Sequence, residues 1–340
     1  MFRSDAIRKL VRPGDPIARS PLAHDLSPRT EYEPAPFAAA GVRFGAVMIC
    51  RNQNTIARPA LVEGIGFLGG ADIQLRFFPA PANHGITFLR TDVPSAEPIP
   101  ALVEYAVPRG RRTAIASHGV CVEMIEHVMA ALAGLQIDNC RVELDSFEPP
   151  GCDGSSLRFA EALLEAGKLS QNARREVISV GGLVTAEAED HRSSIAAADG
   201  NRTGLTIGFE LDYGANSPIP RQRATFEITP ESFMNELAHC RTFLLEEEAE
   251  ALRAQGLGAR LTYRDLIIWG PSGVMDNELR TPDECVRHKI LDCVGDLALI
   301  GADLHGKIEC WRSGHLLNAE IVRRIKNSQS ALQVESRRAA

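Results

Sequence analysis

The chain predicts an α+β fold made of two similar halves, each a small β-sheet layered with helices. Three observations carry the prediction. Short strand-like runs closed by Gly, Pro or Asn dominate the order of elements; the order strands, helix, strand, helix occurs twice; and a seam near residues 170 to 178 separates the two occurrences. Two facing halves fit this order better than a doubly wound sheet, which would alternate single strands with helices. No clear residue-level repeat supports duplication directly.

Residues 1–50 carry prolines at 13, 16, 21, 28, 34 and 36 among charges, with no sustained periodicity before the run 41–49, so an N-terminal extension, partly disordered, is expected there. The first half, 51–174, has strand patterns at 60–67, 73–78 and 86–90, a helix over 122–135, a strand at 137–144 and a helix over 156–166. The second half, 175–330, continues with strands at 177–180, 183–186, 194–197, 205–211 and 224–228. Helices near 230–238 and 246–255, the latter inside an insert near 244–270, precede a helix opened by Thr281 and a strand at 307–311. Residues 331–340 read as a tail.

Among 340 residues, 44% are hydrophobic and 24% charged, ordinary for a globular protein, and the net charge of -7 leaves no footprint for a general nucleic-acid binder. The eight cysteines lack a C-x-x-C pair and several sit in apolar runs, so they read as reduced core residues. No run approaches 18 apolar residues, and the start lacks a signal-peptide core, so a cytoplasmic protein with no membrane span is expected.

The most informative segment is His288-Lys-Ile-Leu-Asp292-Cys-Val-Gly-Asp296. On a helix a four-residue step is about 400°, a drift of only about 40°, so one imidazole and two carboxylates line one face. Thr281-Pro282-Asp283-Glu284 reads as a capping box with Thr281 as N-cap and proline at the first helical position. Ile290, Leu291, Val294, Leu297 and Leu299 make the remaining faces apolar. Buried charge needs a partner, and a cation supplies one.

Two further components stand elsewhere. Glu126-His127 on the first helix pairs a metal-ligating type with a neighbour able to act as general base, although alone such a pair is more often solvated surface. His315, in the Gly-flanked Ser313-Gly314-His315, alone reads as a turn residue. Assembled, His127, His288 and Asp292 make three ligands with a fourth position open, the pattern of a catalytic zinc site. The same donors suit iron(II). Glu126 is then the base, His315 a proton-donating partner, and Asp296 the residue that orients a histidine from behind.

The chain resembles the zinc-dependent UDP-3-O-acyl-N-acetylglucosamine deacetylase family of lipid A biosynthesis in Gram-negative bacteria. The matching stretches are Pro79-Ala-Pro-Ala-Asn83 with Arg90-Thr-Asp92, the run Ile125 to Asn139 beginning Ile-Glu-His, Asp153-Gly-Ser, Ser232-Phe-Met, Arg241-Thr-Phe243, the run Val286 to Leu297, and Ser313-Gly-His-Leu-Leu-Asn318. They occur in family order over roughly residues 54 to 328. The resemblance implies an active site between the two domains, hydrolysis of the acetamide of a UDP-acyl-sugar, and the ligand set and base already named. It further implies that His315, oriented by Asp296, stabilises the oxyanion and protonates the leaving nitrogen. Thr242 falls on a threonine that donates to the tetrahedral intermediate, Phe243 on an aromatic near the sugar, and Lys289 on a basic residue of the UDP end. A small-molecule substrate and a monomer are expected.

Three departures from the family pattern stand out: Gly66-Phe67-Leu68 where a histidine is usual, Glu123-Met124 before the Ile-Glu-His motif, and Arg260 in the insert that forms the acyl-chain passage. This altered rim admits two alternatives, a non-catalytic paralogue that binds nucleotide sugar or acyl chain, and a deacetylase of a different N-acetyl sugar nucleotide. Retention of base, acid and metal ligands together favours the enzyme.

Overall fold

Strict alternation makes Asp72–Pro79 a strand: Ile73, Leu75 and Phe77 are buried while Asp72 and Arg76 are exposed, the period-two pattern of a sheet with one face on a core. The computed structural model describes residues 51–200 and 202–339, so the expected extension over 1–50 lies outside the described residues. In chain order the first half contains β1 (Asn52–Ile56), β2 (Ala60–Ile65), β3 (Asp72–Pro79), β4 (Ile86–Arg90), β5 (Ile99–Pro100), β6 (Ala106–Val107), β7 (Ala114–Ser117), β8 (Val120–Glu123), α1 (Glu126–Gly134), β9 (Cys140–Leu144), α2 (Leu157–Ala166) and β10 (Lys168–Arg174). The second contains β11 (Val177–Ser179), β12 (Val184–Glu187), β13 (Ser194–Ala198), β14 (Leu205–Leu211), β15 (Gln222–Ile228), β16 (Phe243–Leu245), α3 (Glu246–Ala254), β17 (Ile267–Gly270), β18 (Gly273–Val274), α4 (Glu284–Leu297), β19 (Asp303–Trp311) and α5 (His315–Ala339).

The two main sheets share one topology. The first runs β2-β3-β9-β4-β5 and the second β12-β13-β19-β14-β15, with β11 also on β19. In each, the central strand pairs antiparallel on one side and parallel on the other: β9 with β3 and β4, and β19 with β13 and β14. Each central strand is preceded by one helix and followed by another, α1 and α2 in the first half, α4 and α5 in the second. The two similar α+β halves expected from element order are therefore present, although no residue repeat announces them. Each half also carries a three-stranded insert at the same place, β6-β7-β8 before α1 and β16-β17-β18 before α4.

Helices α1 and α4 pack on each other and bury nearly all their residues, and one continuous core joins both sheets to them. A helix covered on every side is where an ionisable group must find an internal partner. Among the described residues no helix is long and apolar enough to cross a membrane. All seven described cysteines are free.

Four local expectations need correction. The helix expected over 122–135 starts only at Glu126, because Val120–Glu123 pairs with β7 and Met124 takes a left-handed φ of 56° that ends the strand. The capping box at Thr281 does not form: α4 begins at Glu284, whose carboxylate instead accepts from Arg241 Nε at 2.8 Å and from the Arg280 amide at 2.7 Å. A buried guanidinium outbids a helix terminus for a carboxylate. His315 is the first residue of α5 rather than part of a turn, and the tail expected over 331–340 continues that helix through Ala339.

Candidate metal centre

Helix α4 sets two of the groups. His288 and Asp292, one turn apart, place Nε2 and Oδ1 3.4 Å from each other. The Nδ1–H of His288 points at the Cys240 carbonyl oxygen, 3.1 Å away, which leaves the Nε2 lone pair facing Asp292. Burial pushes the His288 pKa down to about 4, further than nearby Asp292 raises it, so the ring is neutral and able to donate a lone pair. Asp292 goes the other way: although burial opposes ionisation, the Lys289 ammonium holds its carboxyl well below the usual range.

Helix α1 supplies the third group across the seam. His127 Nε2 lies 3.4 Å from Asp292 Oδ1, and the His127 and His288 rings meet edge-on with centroids 5.0 Å apart. The α1 start is fixed from three sides: the Ile125 amide donates to the Thr113 carbonyl at 3.3 Å, Ser156 Oγ donates to the His127 carbonyl at 2.5 Å, and Met124 supplies the left-handed residue before the helix. The candidate ligand atoms of His127, His288 and Asp292 all lie within 4.8 Å of one another.

This donor set fits a metal ion. Asp292 Oδ1 is buried with no hydrogen-bond partner among the described residues, although a buried carboxylate oxygen ordinarily finds one. Tetrahedral donors at zinc bond lengths sit about 3.3 Å apart, the spacing found from this oxygen to each histidine. Asp292 Oδ2 is already taken by Lys289 Nζ at 2.7 Å, so one oxygen is held and the other is free for an ion.

Glu126 and His315 stand beside this centre. Glu126 is 3% exposed, and its pKa is raised because burial outweighs the pull of His315 and His127. Its Oε2 accepts the Thr113 amide at 3.0 Å. His315 Nδ1 is 2.9 Å from Asp296 Oδ2, with Nε2 3.9 Å from Asp292 Oδ2. Burial would lower the His315 pKa, but Asp296 and Glu126 reverse that and raise it to about 9. Asp296 accepts Asn318 Nδ2 at 2.8 Å on the oxygen that holds His315, and the Thr113 hydroxyl on the other.

Thr242 and Phe243 follow the carbonyl that holds His288. The Phe243 ring lies 6.2 Å from the His288 ring and 6.0 Å from Tyr213. The Thr242 backbone is pinned by Gly154 and Ile267 at 2.7 and 2.9 Å. Lys289 Nζ donates to Asp292 Oδ2 at 2.7 Å. The residues not anticipated are Thr113, the Cys240 carbonyl and Tyr213. No spacing signals them, since each arrives from a distant segment.

Two of the departures from the family pattern touch each other's surroundings. The amides of Leu68 and Gly69 donate to the buried Glu148 carboxylate at 2.9 and 2.6 Å, which shapes the Gly66–Gly70 loop. Arg260 in the second-half insert reaches back to the Gly70 carbonyl at 2.8 Å and to Asp72 at 2.9 Å. The loop and the insert are thus joined across the halves.

The profile of the UDP-3-O-acyl N-acetylglycosamine deacetylase family matches residues 53–327. The chain is 36% identical over 284 residues to the UDP-3-O-acyl-N-acetylglucosamine deacetylase of Myxococcus xanthus (strain DK1622), spanning 83% of this chain and 89% of that protein. It is equally 36% identical over 284 residues to proteins of that name from Brucella melitensis biotype 2 (strain ATCC 23457) and Brucella ovis (strain ATCC 25840 / 63/290 / NCTC 10512), spanning 83% of this chain and 98% of each.

Proposed function

The chain belongs to the UDP-3-O-acyl N-acetylglycosamine deacetylase family, and from that premise we propose how its buried centre carries out the reaction. The protein hydrolyses the acetamide of UDP-3-O-acyl-N-acetylglucosamine to the free amine and acetate, the committed step of lipid A biosynthesis. His127, His288 and Asp292 hold a divalent ion, with zinc the first choice for two imidazoles and a carboxylate and iron(II) the second. Such an ion, when bound, polarises a carbonyl oxygen and brings the pKa of a water to about 7.

The chain's own groups do the rest. Glu126, its pKa raised by burial, takes the proton of the attacking water. Thr242 donates to the oxyanion as the carbonyl becomes tetrahedral. His315, held protonated by Asp296 and Glu126, gives its Nε2 proton to the departing sugar nitrogen, so an amine rather than an amide anion leaves. Phe243 forms a wall for the sugar beside His288. Lys289 neutralises Asp292 and adds positive charge toward the nucleotide diphosphate.

The observation that carries this reading is the buried, partnerless Asp292 Oδ1 between two histidine nitrogens, with a buried acid–base pair beside it. The test measures metal content and acetate release on one purified sample, with several acyl lengths, before and after chelation. One ion per chain and chelator-sensitive acetate release are expected. No release from any acyl length in metal-replete protein rejects it.

A further inference from the structure

Thr113 lies outside every motif that carries the site, immediately before β7, and is 6% exposed. It nevertheless touches both proton-transfer groups. Its amide N–H donates to Glu126 Oε2 at 3.0 Å, and its hydroxyl donates to Asp296 Oδ1 while lying 3.2 Å from His315 Nδ1. The direction of that hydroxyl follows from counting protons. Asp296 Oδ2 already faces two donors, His315 Nδ1–H and Asn318 Nδ2, and among the described residues Oδ1 has none but Thr113. A threonine hydroxyl carries one proton, so it goes to Oδ1, and the oxygen lone pair is left facing His315 Nδ1–H.

We propose that Thr113 is a positioning residue that ties the general base to the general acid: its amide holds Glu126 on α1, and its hydroxyl holds the Asp296–His315 pair at α4 and α5. The proposal rests on the roles given to Glu126 and His315 above. One residue thereby sets the distance between a base on one half of the fold and an acid on the other, and the imidazole keeps Nδ1–H toward Asp296 and Nε2 toward the centre. Glu126 and His315 must act on the same substrate in sequence, and a misplacement on the order of 1 Å costs about 100-fold in rate. Thr113 itself faces two carboxylates and an imidazole, so removal of its hydroxyl acts on turnover rather than on substrate affinity.

The variants are Thr113→Val, which keeps shape and amide and loses only the hydroxyl, and Thr113→Ser, which keeps the hydroxyl. In metal-loaded protein, kcat and KM are measured separately, with metal content and thermal midpoint beside them. In parallel, nitrogen-15 NMR of the histidine rings, with His315→Ala for assignment, follows the two ring nitrogens of His315. Thr113→Val is expected to lower kcat roughly 10- to 100-fold with KM within about 3-fold, one ion per chain, and a shifted His315 signal. Thr113→Ser is expected to restore both kcat and the signal. Wild-type kcat in Thr113→Val overturns the proposal, as does equal loss in both variants that tracks loss of folded, metal-loaded protein. An inert wild-type protein rejects the deacetylase reading instead, and an unshifted His315 signal in Thr113→Val then overturns the role of Thr113 by itself.

Discussion

Gly295 on α4 sits directly against the backbone of Glu126 on α1: a methyl group at position 295 would lie 2.0 Å from the Glu126 carbonyl oxygen and 3.1 Å from the Ala130 amide nitrogen. The neighbour is helix backbone, which cannot swing aside as a side chain can. Gly295 precedes Asp296 and follows Asp292 by three residues, while Glu126 precedes His127. The close approach that only glycine permits is therefore what brings the two halves of the candidate centre into one coordination sphere.

Gly295→Ala should push α1 and α4 apart. Overpacking of this kind costs about 1–3 kcal/mol, and here the displaced helix carries His127. A lower thermal midpoint together with a metal affinity reduced about 10-fold or more is expected, read by calorimetry and competitive chelator titration. An alanine variant that binds metal like wild type would show that the contact does not set the ligand spacing.

Glu126→Gln keeps an acceptor for the Thr113 amide but removes the base. A loss of about 10²- to 10⁴-fold in kcat is expected with metal content unchanged. Inductively coupled plasma analysis and acetate release on the same preparation separate this from simple loss of the ion.

Asp296→Asn removes the nearer of the two carboxylates that hold His315 protonated. The sign follows from the raised pKa of about 9: without the anion, the imidazolium loses its proton at lower pH. The alkaline limb of the kcat/KM profile should move to lower pH and kcat should fall about 10²-fold. An alkaline limb that stays in place would assign it to another group.

Glu284 supplies a stability prediction independent of the metal. Burial alone would raise its pKa, but Arg241 and the amides of Arg280 and Arg241 prevail and lower it below 4.5. A depressed folded-state pKa gives stability that is present above about pH 4.5 and is lost as pH falls through the folded value. Glu284→Gln should cost about 3–5 kcal/mol near neutral pH, because Arg241 stays buried without its countercharge, and should flatten the acid limb of a midpoint-versus-pH series. An acid limb identical to wild type would place the acid sensitivity elsewhere.

Legibility followed the range of the interaction. The His288, Asp292 and Asp296 face was readable because helical spacing is a local rule, and the strands of the two main sheets were readable wherever apolar residues alternate. The same local rule misread Thr281-Pro-Asp-Glu, since the partner that claims Glu284 is Arg241, 43 residues upstream. It also extended α1 backward into β8, because only the pairing with β7 and the positive φ of Met124 mark where the strand stops.

By itself, then, the amino-acid order determined the α+β class, the two-part plan, and a list of ionisable groups whose types suit metal-assisted amide hydrolysis, all of which depend on periodicity and chemistry within a few residues. Tertiary structure alone decided that His127 meets His288 and Asp292, that Asp292 Oδ1 is left without a hydrogen bond, that Thr113 touches Glu126 and Asp296 together, and that the two sheets share a topology. Those facts rest on contacts between segments that are separate in the chain, as far apart as Thr113 and Asp296, 183 residues, and on close packing that discriminates at the scale of one methyl group.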